Sequence, residues 1–544
     1  MNLSRFATPK YRWHALVFLS LGLAIVIIDN TVLNVAIPYI LRDLNTSLDA
    51  IQWVISGYAL IIATLLITMG RLGDLYGRKK LFLIGTILFA IGSYLASISH
   101  TALVLFIGEA LIEAVGASMM MTSSLALLVT EFEGKERAIA FGVWGSVAGA
   151  SAALGPLLGG YLTTYFTWRW ALRINVFVVL ITILGSIFIK EAKGEGSKDF
   201  DWAGTLYSGL GLFSFVFGLI EGNRFGWIRP VGQFTIGSWS WPFAQISVIP
   251  IAFILATLLL AKFLHVEYKL EKQNKSPLLK LSMFKNLGFS LGLTTLGIVS
   301  LGQFGIFFVL IIFLQSVLGF SAFQTGLTFL WTSVTIFIVG PTTGFIASKL
   351  NPKYVVNIGM FVLALALFIL MRSISTTATA LTLAPGLVLF GMGIGMATSQ
   401  LTNIILSAVK PVFAGEASAV NATVRQVGTS IGIAIIGVVL TSTLAMGIPQ
   451  KIQNDSFIPA PAKEKLISSL ENVSIERGQQ TTKKTSTTVE AAIRSDVNEV
   501  FVEAIQNALG VSLFFTLCGA FLSLTLPRPS RITEKKGAHV ASGH

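Results

Sequence analysis

Five charged side chains lie within long apolar segments of this chain: Asp29, Glu109, Glu113, Arg173 and Arg425. A charge in the hydrocarbon region of a bilayer is costly, so such residues usually face a protein-lined cavity, pair with each other, or move protons and ions. Glu109 and Glu113 fall in the stretch FIGEALIEAVGA, one helical turn apart, which puts both carboxylates on one face of a helix. These residue types support proton binding and release and the recognition of charged ligands.

The segments that must position these charges are apolar enough to cross a membrane. Of the 544 residues, 53% are apolar and 12% are charged, whereas soluble domains have about a quarter charged residues. A membrane helix needs about 20 apolar residues, and the continuous runs exclude a transmembrane β-barrel. The pattern predicts an all-α membrane protein with fourteen transmembrane helices, the eighth near 243–263 and the last near 505–526. No cleaved signal peptide is expected, because the first apolar run is long and contains Asp29.

Basic residues are concentrated on one side of the predicted membrane. Most of the 39 Lys and Arg, including GRKK at Gly77–Lys80 and the lysines between Lys262 and Lys285, share one side when the spans are threaded in order. Cytoplasmic loops are enriched in Lys and Arg, so we expect both termini in the cytoplasm and the protein in the cytoplasmic (inner) membrane. The formal net charge of +13 is therefore a topology signal, and no nucleic-acid partner is expected.

The sequence offers little for a metal, a disulfide or catalysis. The single cysteine, Cys518, excludes a disulfide within the chain, and the five histidines are scattered without a pair at helical spacing. No catalytic constellation or nucleotide-binding loop is found. We expect no metal, no cofactor and no enzymatic activity.

Two polar breaks divide the chain. The stretch KEAKGEGSKDFD at 190–201 follows the sixth predicted span, and HVEYKLEKQNKSPLLK at 265–280 follows the eighth. The expected domains are an N-terminal six-helix bundle at 1–189, two inserted helices with their linkers at 190–288, and a C-terminal six-helix bundle at 289–544 that includes an outer loop at 447–504. Two bundles of this kind are typical of transporters with a site between them near the bilayer midplane.

Several motifs resemble those of a known family. GRLGDLYGRKK at Gly70–Lys80 is similar to the loop between helices two and three of the major facilitator superfamily. IDNTVLNVAIP (Ile28–Pro38), ALGPLLGGYL (Ala153–Leu162) and NATVRQVGTSIGIA (Asn421–Ala434) look like motifs of its fourteen-span drug:proton antiporter branch. The resemblance implies the major facilitator fold, with two six-helix bundles rocking around a central cavity. It also implies a secondary active transporter whose export is driven by inward proton flow.

By the same resemblance, Gly70, Gly73, Asp74, Gly77 and Arg78 would form the inner gate. The glycines permit a tight turn and close approach of helices. Asp74 sits at a helix end, where it can cap the N-terminus of a neighbouring helix or pair with an arginine.

The antiporter motif and Arg425 would serve the conformational change. Gly155, Gly159 and Gly160 permit close helix packing, and Pro156 removes a backbone hydrogen bond, which suits a helix that bends between the bundles. Simple small-residue packing would use the same residues. Arg425, about 15 Å deep in its span, must face a cavity or a partner, either as a substrate contact or as a structural anchor.

The helix-four stretch departs from the family pattern. Members normally have an arginine where this chain has Glu109, a glycine where it has Glu113, and an apolar residue where it has Arg173. At about 1.5 Å per residue, these three groups and Asp29 lie in one layer of the first bundle. We predict that Arg173 pairs with Glu109 and that Glu113, alone or with Asp29, carries the proton. The alternative is a buried structural network of the same charges.

Together these features predict a proton-coupled antiporter that exports amphipathic, cationic small molecules by alternating access, a multidrug efflux transporter, because cavity acids favour cations. A dedicated exporter of one metabolite, siderophore or lipid is the alternative, since Arg173 and Arg425 could hold an anion. A non-transporting membrane sensor is the third possibility. The expected partners are a small-molecule substrate, protons and the lipid bilayer, and the protein is expected to be a monomer.

Overall fold

The computed structural model describes residues 11–194, 200–236, 239–454, 463 and 488–527. Within those residues the chain forms fourteen long helices: α1 (Arg12–Asp43), α2 (Leu48–Tyr76), α3 (Arg78–Ser97), α4 (Ala102–Glu131), α5 (Gly134–Tyr165), α6 (Trp168–Gly185), α7 (Trp202–Phe225), α8 (Val248–Lys272), α9 (Leu287–Ile312), α10 (Ala322–Lys349), α11 (Pro352–Ser373), α12 (Ala380–Ser407), α13 (Ala414–Asn454) and α14 (Thr488–Ser523). Shorter helical pieces are Ser186–Phe188, Leu281–Lys285, Phe313–Val317 and Pro411–Phe413. Between α7 and α8, strands β1 (Thr235–Ile236) and β2 (Trp239–Ser240) pair antiparallel.

The described helices are long and apolar enough to make a membrane bundle. Thirteen of them could each cross a membrane on length and composition, and α5 is the fourteenth, made of two parts that are bent by 41°. The predicted all-α membrane protein with fourteen transmembrane helices is therefore confirmed for the described part of the chain.

The largest differences between predicted and observed helix starts are in the eighth and the last span. The eighth helix begins at Val248 rather than near 243, because the Ser247 hydroxyl accepts a hydrogen bond from the Ile249 N–H and caps the helix there. The last begins at Thr488 rather than near 505, because the amphipathic stretch before the apolar run continues the same helix. The predicted outer loop at 447–504 is occupied at its edges by α13 and α14, and its centre lies outside the described residues.

Helices α1–α6 contact one another, as do α9–α14, and we call these sets the first half and the second half. The inserted helices α7 and α8 pack together, and α7 also contacts α2 and α13. The halves meet where α5 packs against α10 and α12, and where α2 and α4 pack against α13. Small residues make this interface close, since a methyl group on Gly142 would lie 2.5 Å from the carbonyl oxygen of Gly340.

Residues Ile107–Glu113 of α4 form a π-helical segment. Such segments interrupt the regular helix and are frequent at functional sites. This one lies against Gly92 of α3, where an added methyl group would be 2.5 Å from the backbone nitrogen of Glu113 and 2.6 Å from the carbonyl oxygen of Gly108. Because Gly92 has no side chain, α3 packs directly against the backbone of the segment that contains Glu109 and Glu113.

Gly92→Ala is expected to destabilise the protein by about 1–3 kcal/mol, because the added methyl group overpacks a backbone contact that cannot relax easily. The matched control is Gly395→Ala in α12, where the nearest atom to an added methyl group, Cγ1 of Val339, is 3.4 Å away. That variant should keep or raise the melting temperature, since alanine favours a helix over glycine. Thermal unfolding of the purified protein in detergent measures both, and equal melting temperatures would contradict the close contact at Gly92.

Candidate functional site

Three carboxylates meet inside the first half: those of Asp29 on α1 and of Glu109 and Glu113 on α4. All three residues are buried, with at most 1% of each exposed. One carboxylate oxygen from each lies within 4.8 Å of the other two. We call this group the acid triad, and it brings together the three acids that the sequence singled out.

Asn175 of α6 joins the triad to the neighbouring helices. Its Nδ2 donates to Oδ1 of Asp29 at 2.5 Å and to the Ser93 hydroxyl at 2.7 Å, and lies 3.4 Å from Oε1 of Glu113. The buried Tyr58 on α2 interacts electrostatically with all three acids. Asn175 and Tyr58 were not predicted from the sequence, because they carry no charge. Their signal was that each is a polar residue within an apolar run.

Arg173 does not join the triad. Its guanidinium lies over the ring of Trp170, 5.5 Å from the centroid, and in the described part of the chain it forms no salt bridge with an acid. The predicted pair with Glu109 is therefore not formed in this structure. The reason is the orientation of α6: side chains two residues apart point roughly 200° apart on an α-helix, so Asn175 faces the triad and Arg173 does not.

Asn175→Ala is expected to destabilise the protein by about 1–3 kcal/mol, since it leaves buried acceptors without their donor. Its neighbour Arg173→Ala should cost about 1 kcal/mol or less, the value of a partly exposed cation–π contact. The melting temperatures of the two single variants measure these stability changes. The melting temperature of the double variant Glu109→Arg with Arg173→Glu tests the ion pair. Rescue in the charge-reversed double variant would show that the pair forms after all.

The triad lies apart from basic side chains: within the described ranges, no Lys or Arg is at salt-bridge distance from its carboxylates. Neighbouring acids bind and release protons as a set rather than one by one. A buried carboxylate without a paired cation also attracts any cation that reaches it. The triad can therefore exchange protons or hold a cationic ligand.

A second cluster closes the end of the molecule at which α2 ends. Asp74 accepts hydrogen bonds from the backbone N–H groups of Gly415 and Glu416, each at 3.2 Å, and so caps the N-terminus of α13. It also forms a 2.7 Å salt bridge with the fully buried Arg78, which donates to the carbonyl oxygen of Pro411 at 3.1 Å. Asp74 is thus both a helix cap and an arginine partner. We call these contacts, which join the two halves, the Asp74 clasp.

Glycines permit the geometry of the clasp. A methyl group on Gly70 would lie 2.6 Å from the carbonyl oxygen of Gly415, so α2 and α13 touch at the level of the backbone. Gly77 has a φ of +119°, a conformation that residues with side chains rarely adopt, and it turns the chain from α2 into α3. At Gly73 the nearest atom to an added methyl group is 3.5 Å away, so no close contact requires glycine there.

The inserted helices are tied to the clasp through the linker before α9. Arg71 and Glu416 form a further ion pair at 3.2 Å between the halves. Glu416 also accepts a hydrogen bond from the backbone N–H of Lys280 at 3.2 Å. The preceding N–H, of Leu279, donates to Glu267 of α8 at 3.0 Å. Successive linker amides therefore bind one acid of α13 and one acid of α8.

The motif residues Gly155, Pro156, Gly159 and Gly160 are buried in α5, and Gly155 and Gly159 lie against α1. A methyl group on Gly155 would clash with Thr31, and one on Gly159 would lie 3.2 Å from the Cα of Val32, so the contact with α1 is close just beyond Asp29. The 41° bend separates Gly134–Ala152 from Leu154–Tyr165. The bend follows Ala152, whose carbonyl oxygen would accept the hydrogen bond that Pro156 cannot donate.

Arg425 lies away from the triad, where α13 meets α5 and α12. Its guanidinium is 5.6 Å from the ring centroid of Trp144 on α5 and donates to the Thr402 hydroxyl on α12 at 3.4 Å. The structure thus gathers the three acids in one cluster of the first half and pairs neither Arg173 nor Arg425 with that cluster.

The sequence and the fold are both similar to those of known proteins. The chain matches the family model described as Major Facilitator Superfamily over residues 19–218 and 228–433. It is 29% identical over 457 residues to "Multidrug resistance protein Stp" of Mycobacterium tuberculosis, covering 84% of this chain and 80% of that protein. It is 30% identical over 443 residues to "Tetracenomycin C resistance and export protein" of Streptomyces glaucescens, covering 81% and 78%. The solved structure of the MFS proton:xylose symporter XylE matches with a TM-score of 0.54 at 13% identity, over 80% of this chain and 90% of that one, which shows the fold alone.

Proposed function

This chain belongs to the Major Facilitator Superfamily, and we propose that it is a proton-coupled antiporter that exports amphipathic, cationic small molecules by alternating access. The family predicted from the motifs and the predicted fold are confirmed, because the family match extends from the first half into the second and the likeness to XylE extends over most of both chains. The relatives support a membrane transporter of the drug efflux type as the general activity.

The acid triad is the observation that most directly supports proton coupling. Its three buried carboxylates lie close together, and no described Lys or Arg is at salt-bridge distance from them, so the group has affinity both for protons and for a cation. A site that holds either protons or a cationic substrate, and not both at once, exchanges one for the other. That competition is the requirement for antiport.

The position of the triad supports a link to the conformational change. Asp29 lies on α1, which packs against the bent, glycine-rich part of α5. The same helix α5 packs against α10 and α12 of the second half. A change of charge at Asp29 therefore acts on the helix that forms the interface between the halves. At the other junction, the Asp74 clasp must open for the halves to part at that end.

We place the protein in the cytoplasmic membrane as a monomer, with both termini and the Asp74 clasp on the cytoplasmic side. The concentration of Lys and Arg at that end supports this orientation. The proposed partners are the exported small molecule, protons and the lipid bilayer, and the mechanism needs no cofactor because the proton gradient supplies the energy.

A dedicated exporter of one compound is the second candidate. The relative from Streptomyces glaucescens is named for export of a single compound, tetracenomycin C. The two candidates differ in breadth: a multidrug exporter should move several unrelated cationic amphiphiles, whereas a dedicated exporter should move one compound and its close analogues.

Proteoliposomes with an imposed pH gradient and a trapped pH-sensitive dye test the proposal. Ethidium and other cationic amphiphiles should accelerate proton movement, and fluorescein, an anionic dye without a cationic group, should not. Protein-free liposomes are the control for leakage. Transport of ethidium without accompanying proton movement, or stimulation by fluorescein alone, would overturn the proposal.

A further inference from the structure

Arg425 is an intramembrane arginine at the junction of the two halves. It lies on α13 of the second half and faces Trp144 on α5 of the first half. Among the residues that the structure describes, no Asp or Glu forms a salt bridge with it. Arg425 is partly exposed, whereas the two residues that it contacts, Trp144 and Thr402, are buried. Arg425 therefore lies at the junction of the two halves, with part of the residue exposed.

The unsatisfied polar atoms around Arg425 are hydrogen-bond donors. Trp144 is 4% exposed, yet its Nε1–H has no partner within the described residues. Asn421 is 1% exposed, its Nδ2 is likewise unpartnered there, and it lies one turn before Arg425 on the same face of α13. The Thr402 hydroxyl accepts from Arg425 and donates to the carbonyl oxygen of Thr398 at 3.0 Å, so its proton is already engaged.

A cation–π contact with Trp144 stabilises the guanidinium only in part. The cost of keeping a charge in the membrane interior exceeds what one aromatic face returns, so such an arginine normally has an anion or a polar cavity beside it. Stacking on an indole also leaves the N–H groups at the edge of the guanidinium plane available. Those groups match the two oxygens of a carboxylate.

We propose that Arg425, Trp144 and Asn421 form a binding site for a carboxylate of the exported molecule, so that the preferred substrates are zwitterionic amphiphiles. The proposal rests on the proposed transport function and narrows its substrate class. The acid triad of the first half attracts the cationic group, and Arg425 of the second half binds the anionic group. A substrate held in this way contacts both halves, so its binding can be coupled to their relative movement during alternating access.

Rhodamine B and its ethyl ester test the proposal, because they share one cationic ring system and differ in whether the carboxylate is free. Fluorescence polarisation with the purified full-length protein should show tighter binding of rhodamine B than of the ester. Arg425→Gln should weaken binding of rhodamine B by about tenfold or more, the usual cost of losing a hydrogen bond to a charged group, and leave binding of the ester unchanged. Arg425→Lys should retain part of the preference, since it keeps the charge and loses the paired donors.

The matched control is Arg372→Gln on α11, which removes an exposed arginine that also lies over an aromatic ring, that of Phe368. It should bind both dyes as the wild type does. Equal affinity of the wild type for the two dyes, no binding of either, or equal weakening of both by Arg425→Gln would overturn the carboxylate site. Proton movement stimulated by the ester tests the antiport proposal separately, so failure of one leaves the other standing.

Discussion

Asp29→Asn and Glu113→Gln are each expected to reduce substrate-stimulated proton movement by about a hundredfold or more, because an amide cannot take up the proton that an intramembrane acid exchanges. The amide at position 29 keeps the size of the side chain and an oxygen that can still accept from Nδ2 of Asn175, which now lies 2.5 Å from Oδ1. The loss should therefore reflect charge rather than packing. Flux in proteoliposomes under a pH gradient measures it.

The same variants separate a coupling site from a structural network. Buried charges without a compensating partner are destabilising, so replacing one by an amide should leave the melting temperature unchanged or raise it. A structural network would instead lose several degrees. Glu136→Gln is the matched control, since Glu136 is partly exposed and pairs with Arg12 at 2.5 Å, away from the triad. Proton coupling at the wild-type rate in Glu113→Gln would remove that residue from the mechanism.

Asp74→Asn is expected to open the end of the molecule that the clasp closes. The variant leaves Arg78, which is fully buried, without its counter-charge and weakens the cap on α13. Breaking one partner of a buried ion pair costs about 3–5 kcal/mol. A loss of about 3 kcal/mol from the closed state changes the ratio of the two conformations by roughly 150-fold. Because exchange needs both conformations, export should fall at least about tenfold.

A cysteine at Ala419 reports the opening. Ala419 is fully buried and lies against Gly70 at the junction of α2 and α13. In a background in which Cys518 is replaced by serine, Ala419→Cys should react slowly with a water-soluble maleimide and should react at least about tenfold faster when Asp74→Asn is added. Lys80→Gln is the control, since it removes a neighbouring charge outside the clasp. Equal labelling rates with and without Asp74→Asn would show that the clasp does not hold this end closed.

Composition and motif order determined the class of this protein. Continuous apolar runs form helices in a bilayer, because a helix pairs all of its backbone N–H and C=O groups by internal hydrogen bonds where no water is available. Short motifs were enough to identify the family, because the backbone conformation at each motif depends on only a few neighbouring residues. Gly77 illustrates this: its backbone conformation, with φ of +119°, excludes most side chains whatever surrounds it. Asp74 was likewise recognisable as a residue able to cap a helix or bind an arginine.

Contacts between helices were decided only by the tertiary structure. The sequence showed that Asp74 could cap a helix, but not that the helix would be α13, which begins more than three hundred residues later. It placed Arg173 at the depth of Glu109, but the rotation of α6 turned Asn175 toward the triad instead. Depth follows from counting residues along one helix, whereas partners depend on how each helix is rotated and how closely glycines let it approach. For the stretch FIGEALIEAVGA, the sequence therefore determined that two acids share a face, and the packing of α1, α3 and α6 decided what that face meets.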